Sequence, residues 1–223
     1  MSPIREFGLK ALLWLPLSFV IWFWFAPLWV QPALALARLV LVGHWGELFS
    51  ALTQGAEMID AGGKVVAHAG YLAQLGTKVM VAVPAGPGGP GGVGVLEPTI
   101  NPMIYAYSLP LFAGLVMATP LGGWRRAGEL AIGLAVIWTA QAFGVVAEGL
   151  KVLAFDAGPE GATAIAHAGL SPSGIALAYQ FGYLILPAVV PVVLWIALNR
   201  AFIEQLVGWR GEPGGGPDGH NTA

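Results

Sequence analysis

Residues 101–126, NPMIYAYSLPLFAGLVMATPLGGWRR, set the expected orientation of the chain. No charged residue lies between Glu97 and Arg125. Roughly 20 apolar residues suffice to cross the ~30 Å hydrocarbon layer as a helix, so this run is long enough to span it. Trp124 suits the headgroup level, and Arg125–Arg126 marks the cytoplasmic end by the positive-inside rule. The run therefore predicts a transmembrane helix that enters from outside and ends in the cytoplasm.

Composition indicates a membrane protein. The chain has 223 residues, of which 57% are hydrophobic and 10% are charged. Soluble domains carry about 25% charged residues, and a chain with so few could not cover a soluble surface. The net charge of −2 gives no reason to expect a nucleic acid partner. The chain has no cysteine, which excludes disulfides, thiolate metal sites and a cysteine nucleophile.

The uncharged runs predict an all-α integral membrane fold with about four transmembrane helices, and with both chain ends in the cytoplasm. The predicted helices are 11–31, 102–121, 130–150 and 174–199. The predicted cytoplasmic segments are 1–10, 122–129 and 200–223, and the extracytoplasmic ones are 32–101 and 151–173. Six of the ten basic residues fall on the cytoplasmic side: Arg5, Lys10, Arg125, Arg126, Arg200 and Arg210.

The first helix could instead be a cleavable signal peptide, because residues 35–37 (Ala-Leu-Ala) resemble a cleavage site. A signal core is usually only about 7–15 residues long, and this uncharged run is longer and rich in tryptophan. We therefore expect an uncleaved first helix.

Residues 32–101 predict a small extracytoplasmic module that contains a β-hairpin. Residues 77–83 (TKVMVAV) are rich in β-branched side chains and predict a strand, to which residues 93–96 can pair back across the Gly/Pro-rich stretch 86–92. The apolar residues of 45–52 follow a 3.6-residue period and predict a short amphipathic helix. The Gly/Pro-rich end, 211–223, predicts disorder.

Few residues suggest chemistry. His44 and Glu47 are three positions apart, on one helix face, and His68 is also expected outside the cytoplasm. Histidine and carboxylate groups could together bind zinc or copper. One such spacing is common by chance, so solvated polar faces are the preferred interpretation. No GxSxG elbow, Walker loop or other catalytic motif is present, and we expect neither a catalytic residue nor a cofactor.

Small residues on the predicted helices suggest close helix packing. Gly174, Ala178 and Gly182 recur every four residues, which predicts a seam where a second helix can approach. Gln141 lies near mid-membrane, where an amide is costly unless a neighbouring helix bonds it. Glu148 and Lys151, three positions apart, predict an ion pair at the outer membrane interface.

Three short motifs resemble a known family. They are residues 13–17 (LWLPL), residues 101–107 (NPMIYAY) leading into 109–111 (LPL), and residues 183–187 (YLILP). They are similar to those of the exosortase H-associated membrane proteins. The resemblance implies a bacterial inner-membrane accessory protein found with an exosortase, an enzyme that processes proteins bearing a C-terminal sorting helix. Its partners would then be membrane lipid and either the exosortase or that sorting helix.

Exosortases look like cysteine transpeptidases, so this cysteine-free chain cannot perform that reaction by the same chemistry. The function expected from the resemblance is a non-catalytic role in protein sorting. Two alternatives stay open. One is a small-solute transporter or channel subunit that uses Gln141, Glu148 and a fourth helix bent by its prolines. The other is a periplasmic-facing metalloenzyme that uses His44, Glu47 and His68.

Overall fold

The structure is a computed structural model, and it describes residues 3–59, 65–83 and 91–208. The helices are α1 (Pro3–Trp24), α2 (Ala26–His44), α3 (Met103–Ala106), α4 (Ser108–Ala118), α5 (Gly123–Lys151), α6 (Gly158–His167), α7 (Pro172–Gln180), α8 (Leu186–Leu198) and α9 (Arg200–Gly208). A first π-helical turn, Val152–Asp156, follows α5, and a second, Phe181–Ile185, follows α7. The strands are β1 (Phe49–Ile59), β2 (Val65–Thr77), β3 (Met80–Val83), β4 (Gly92–Val95) and β5 (Thr99–Ile100).

Within these ranges, four helical segments are long and apolar enough to cross a membrane. They are Ile4–Trp24, Ala26–His44, Gly123–Asp156 and Pro172–Leu198, and the apolar segment Met103–Ala118 is shorter. The predicted class, a helical membrane protein with a small β-hairpin region, is confirmed. The disorder predicted for 211–223 concerns residues outside the described ranges, as does most of 86–92.

α1 and α2 form one bent helix. Only Phe25 separates them, and the helical hydrogen bonds continue across it: Phe25 N donates to Ile21 O at 3.1 Å and Trp29 N to Phe25 O at 3.3 Å. Two antiparallel helices need a loop of about 2–5 residues between them, and there is no room for one here. The chain therefore continues in the same direction from α1 into α2.

The boundary between the first helix and the module differs from the predicted one. Pro32 lies inside α2, and the helix continues to His44. A proline removes only one backbone hydrogen bond. The buried face of α2, which packs against α5 and β1, offsets that loss; it consists of Ala26, Val30, Ala33, Leu34, Ala37 and Leu41. The first predicted span, 11–31, thus crosses the bend, and residues 32–44 prolong the helix toward the sheet.

The module is built from two small sheets. One has the strand order β1-β2-β5 and the other pairs β3 with β4. β3 and β4 are antiparallel from Met80 opposite Val95 to Val83 opposite Gly92, so the predicted hairpin is confirmed.

The amphipathic helix predicted over residues 45–52 is wrong. β1 starts at Phe49 and pairs with β2. Leu48, Phe49 and Leu52 are buried, a pattern that a short helix and a strand can both produce. The long-range pairing with β2 decides between them.

The predicted outer loop 151–173 also contains structure, because α6 lies within it. Gly169, with φ +69°, ends this helix in the left-handed conformation. The Leu170 amide then donates to the Ile165 carbonyl, the usual bond of a glycine-terminated helix.

The topology can be tested by cysteine labelling, because the chain has no cysteine of its own. We expect an impermeant maleimide to label Glu47→Cys only from outside the cell and Glu204→Cys only from inside, since both side chains are exposed. This expectation takes the bent helix α1–α2 as one crossing, and Met103–Ala118, α5 and the α7–α8 segment as one crossing each. Labelling of both positions from the same side would contradict this topology.

Candidate functional site

Three helical segments meet at Gly144 of α5. The buried ring of Tyr105, from α3, packs against it so closely that a Cβ at Gly144 would lie 2.4 Å from Tyr105 Cδ1. From another side, the Cβ position of Gly182 in the second π-helical turn lies 3.1 Å from the Gly144 Cα. A side chain at Gly144 would therefore displace the Tyr105 ring, whereas one at Gly182 would make a tight contact with α5.

Only one member of the predicted small-residue seam lies at this contact. Gly182 is buried, whereas Gly174 is exposed and Ala178 half-buried. A Cβ at Gly174 would meet only Ser171, which caps the start of the same helix. Gly174 thus lies in the first turn of α7, where no other helix contacts its Cβ position.

Gln141 lies one turn before Gly144 and is 1% exposed. Its Nε2 donates a hydrogen bond to the Pro102 carbonyl at 3.2 Å, which ties α5 to the start of α3. Its Oε1 is buried and has no hydrogen-bond partner within the described residues. The amide thus bonds the backbone of a neighbouring segment.

Glu148 lies one turn beyond Gly144, on the same face of α5 as Gln141, as spacings of three and four residues require. The Tyr105 hydroxyl and the Glu148 carboxylate lie beside each other. Even so, the hydroxyl and Glu148 Oε2 are both buried without a hydrogen bond of good geometry in the described part of the chain. The tyrosine hydroxyl and the carboxylate are therefore held side by side in a buried position.

The predicted ion pair between Glu148 and Lys151 is not formed. The Lys151 ammonium instead contacts Asp156 Oδ2 at 2.6 Å. In a π-helical turn the amide of residue i+5 donates to the carbonyl of residue i, as Ala157 N does to Val152 O here. This wider turn brings the Asp156 carboxylate within reach of the Lys151 ammonium. Sequence spacing alone assumes a regular α-helix and so assigns Lys151 to the wrong carboxylate.

Two more tyrosines complete the group. The rings of Tyr179 and Tyr183 are stacked, with centroids 5.8 Å apart. Tyr183 meets the Tyr105 ring edge-on at 6.5 Å, and Lys151 Nζ lies 5.7 Å from the centre of the Tyr179 ring. We call Tyr105, Glu148, Lys151, Tyr179 and Tyr183 the tyrosine–glutamate cluster.

Sequence reasoning missed these tyrosines. The four-residue spacing of Tyr179 and Tyr183 indicates a shared helix face, and this signal could have identified that pair. Nothing local joins them to Tyr105, which is 74 positions before Tyr179 in the chain. Both π-helical turns adjoin the cluster, and such turns are frequent at functional sites.

The charges of the cluster and its neighbour Asp156 do not balance. Glu148 and Asp156 carry carboxylates, and Lys151 supplies one ammonium, which is bonded to Asp156. Glu148 therefore has no ion-pair partner among the described residues. A carboxylate inside a membrane bundle is costly and marks a functional site by default.

A second polar network lies at the opposite end of α5. Glu129 is 5% exposed, and its Oε1 accepts from Arg125 at 3.0 Å. Its Oε2 accepts from Nδ2 of the fully buried Asn199 at 2.8 Å. We call these three residues the Glu129 network, which fastens the start of α5 to the end of α8.

The candidate metal ligands are not brought together. His44, Glu47 and His68 are all exposed, and His68 lies opposite Glu57 in the β1–β2 pair. Across residues 3–59, 65–83 and 91–208, no group of three or more histidine, cysteine, aspartate or glutamate side chains could hold a metal ion.

An apolar cavity of about 290 Å³ lies between α1, α4 and α5. Its walls are almost entirely hydrophobic and include Trp14, Trp22, Trp29, Phe112, Met117 and Leu134.

The apolar helices and the small sheet module define a helical integral membrane protein. Residues 1–202 match the family model described as exosortase H-associated membrane protein. The chain belongs to this family, which confirms the resemblance seen in its short motifs. No curated protein and no solved structure matches it.

Proposed function

We propose that this protein is a non-catalytic accessory or assembly partner in exosortase-linked protein sorting at the bacterial inner membrane. Family membership supports the link to the exosortase system. The exposed apolar surface of α1 is the structural observation that carries the assembly role. A transporter or channel subunit is the main rival, and it would need polar groups along a path through the bundle.

α1 lies at the edge of the bundle. None of the side chains from Ile4 to Trp24 is buried, and the helix packs mainly against α4. Leu12, Leu13 and Phe23 are 73%, 63% and 72% exposed. By contrast, a large share of α5 is buried. The first helix therefore offers most of its surface to the membrane.

A surface of this kind fits a single hydrophobic helix. Lipid provides no hydrophobic drive for helices to associate, so close packing of side chains into gaps must supply the attraction. The apolar cavity beside α1 provides such a gap. The proposed occupant is a transmembrane helix of the exosortase or the sorting helix of its substrate, and the chain's lack of cysteine leaves any thiolate step to the partner.

Site-specific photocrosslinking tests this role. A photoreactive residue at Leu13 of α1 is expected to capture the exosortase or a sorting helix in cells that express the whole system. The same residue at Ile132 of α5, which is 50% exposed, is the matched control and should capture mainly lipid. Crosslinking is read out by mass spectrometry of the adduct. Equal capture of protein from both positions, or none from Leu13, would contradict a partner surface on α1.

A further inference from the structure

We propose that the tyrosine–glutamate cluster binds the primary ammonium headgroup of a membrane aminolipid. The inference rests on three observations: a carboxylate without an ion-pair partner, stacked aromatic rings beside it, and an open cavity that shares one of those rings. It does not depend on the proposed link to the exosortase.

The carboxylate is the first observation. Lys151 is bonded to Asp156, and Oε2 of Glu148 is buried beside the Tyr105 hydroxyl, with no cation bonded to it among the described residues. Glu148, Asp156 and Lys151 together carry one excess negative charge. One added monovalent cation would restore neutrality, and an ammonium would also donate hydrogen bonds to the orphaned oxygen.

The rings are the second observation. The rings of Tyr179 and Tyr183 are stacked, and the Tyr183 ring contacts the Tyr105 ring edge-on. Tyrosine faces attract ammonium groups within about 6 Å of the ring centre. Lys151 already uses the Tyr179 ring in this way, which shows that the rings accept an ammonium. Tyr183 has no such cation among the described residues.

The opening is the third observation. A cavity of about 360 Å³ between α3 and the second π-helical turn is lined by Ile104, Tyr107, Tyr183 and Leu184. Tyr183 belongs to both the cavity and the cluster. Leu184 and Ile185 are exposed apolar side chains, along which acyl chains can lie.

The position of the cluster favours a lipid headgroup over a buried solute. Lys151 and Asp156 have side chains that are 32% and 49% exposed, at the end of α5 opposite Arg125 and Arg126. This end is expected to face outside the cytoplasm. The cluster thus combines a polar, partly exposed end with an apolar flank. An aminolipid has the matching parts, a polar headgroup and apolar acyl chains.

Native mass spectrometry of the purified full chain tests the site. Phosphatidylethanolamine is compared with phosphatidylglycerol of the same acyl chains, because only the first has an amine. We expect preferential retention of phosphatidylethanolamine. Glu148→Gln should reduce that retention about tenfold, as the loss of a hydrogen bond to a charged group does. Glu160→Gln, an exposed carboxylate on α6, is the matched control and should leave it unchanged.

A second variant separates binding from packing. Lys151→Met removes the internal ammonium and leaves both carboxylates unpaired, so it should raise retention of the aminolipid about threefold. If the cluster had only a structural role, aminolipid retention would fall in both variants or in neither. Equal retention of the two lipids, or equal effects of Glu148→Gln and Glu160→Gln, would overturn the proposal. Retention of free ethanolamine as strong as that of phosphatidylethanolamine would overturn the lipid as the source of the amine.

Discussion

Gly133→Ala is expected to destabilise the protein by about 1–3 kcal/mol, the usual cost of overpacking. The Cβ of an alanine at position 133 of α5 would lie 1.9 Å from Phe112 Cε1, and the Phe112 ring is itself buried in the core. Neither the helix backbone nor the ring can move without disturbing the neighbours that hold it. The midpoint of thermal or denaturant unfolding in detergent measures this loss.

Gly128→Ala is the matched control on the same helix. No atom of the described residues lies within 4 Å of the Cβ position of Gly128, so the added methyl group meets none of them. Alanine forms helices more readily than glycine by about 1 kcal/mol, and this variant should therefore be neutral or slightly more stable. Adding Phe112→Leu to Gly133→Ala should recover part of the lost stability. Equal stability of the Gly128 and Gly133 variants would show that the Phe112 contact is not tight.

Asn199→Leu is the second large expected effect, a loss of about 1–3 kcal/mol from leaving a buried acceptor unsatisfied. Asn199 is fully buried and gives Glu129 Oε2 its hydrogen bond. Leucine has a similar size but no donor, so the carboxylate oxygen would lose its partner inside the bundle. Unfolding in detergent again provides the measurement, and the ends of α5 and α8 should become more accessible to protease.

The control for this variant is Glu204→Gln. Glu204 pairs with Arg200 at 2.9 Å, but both side chains are largely exposed, and such surface pairs contribute little. If Asn199→Leu and Glu204→Gln have the same small effect, the Glu129 network does not fasten the two helices. The double variant Asn199→Leu with Glu129→Leu should be more stable than Asn199→Leu alone, because it also removes the buried carboxylate oxygen that lost its donor.

Local patterns were enough to predict the class of the protein, the presence of its apolar helices and the β3–β4 hairpin. Each of these depends on residues close together in the chain. A run without charges is apolar wherever it packs, and β-branched residues on either side of a Gly/Pro-rich stretch favour a hairpin without outside help. The short motifs also pointed to the family that the match over residues 1–202 establishes.

Features that depend on distant residues could not be read in the same way. α2 continues past Pro32 because its buried face packs on α5 and the sheet, and Phe49 enters a strand because β2 lies beside it. Lys151 bonds Asp156 because a π-helical turn changes the spacing on which the pairing with Glu148 was predicted. The contact of Tyr105 with Gly144 and Tyr183 joins three separate segments. Hydropathy and turn chemistry act within about ten residues along the chain. The contacts described above form only when the helices pack, so they are determined by the tertiary structure.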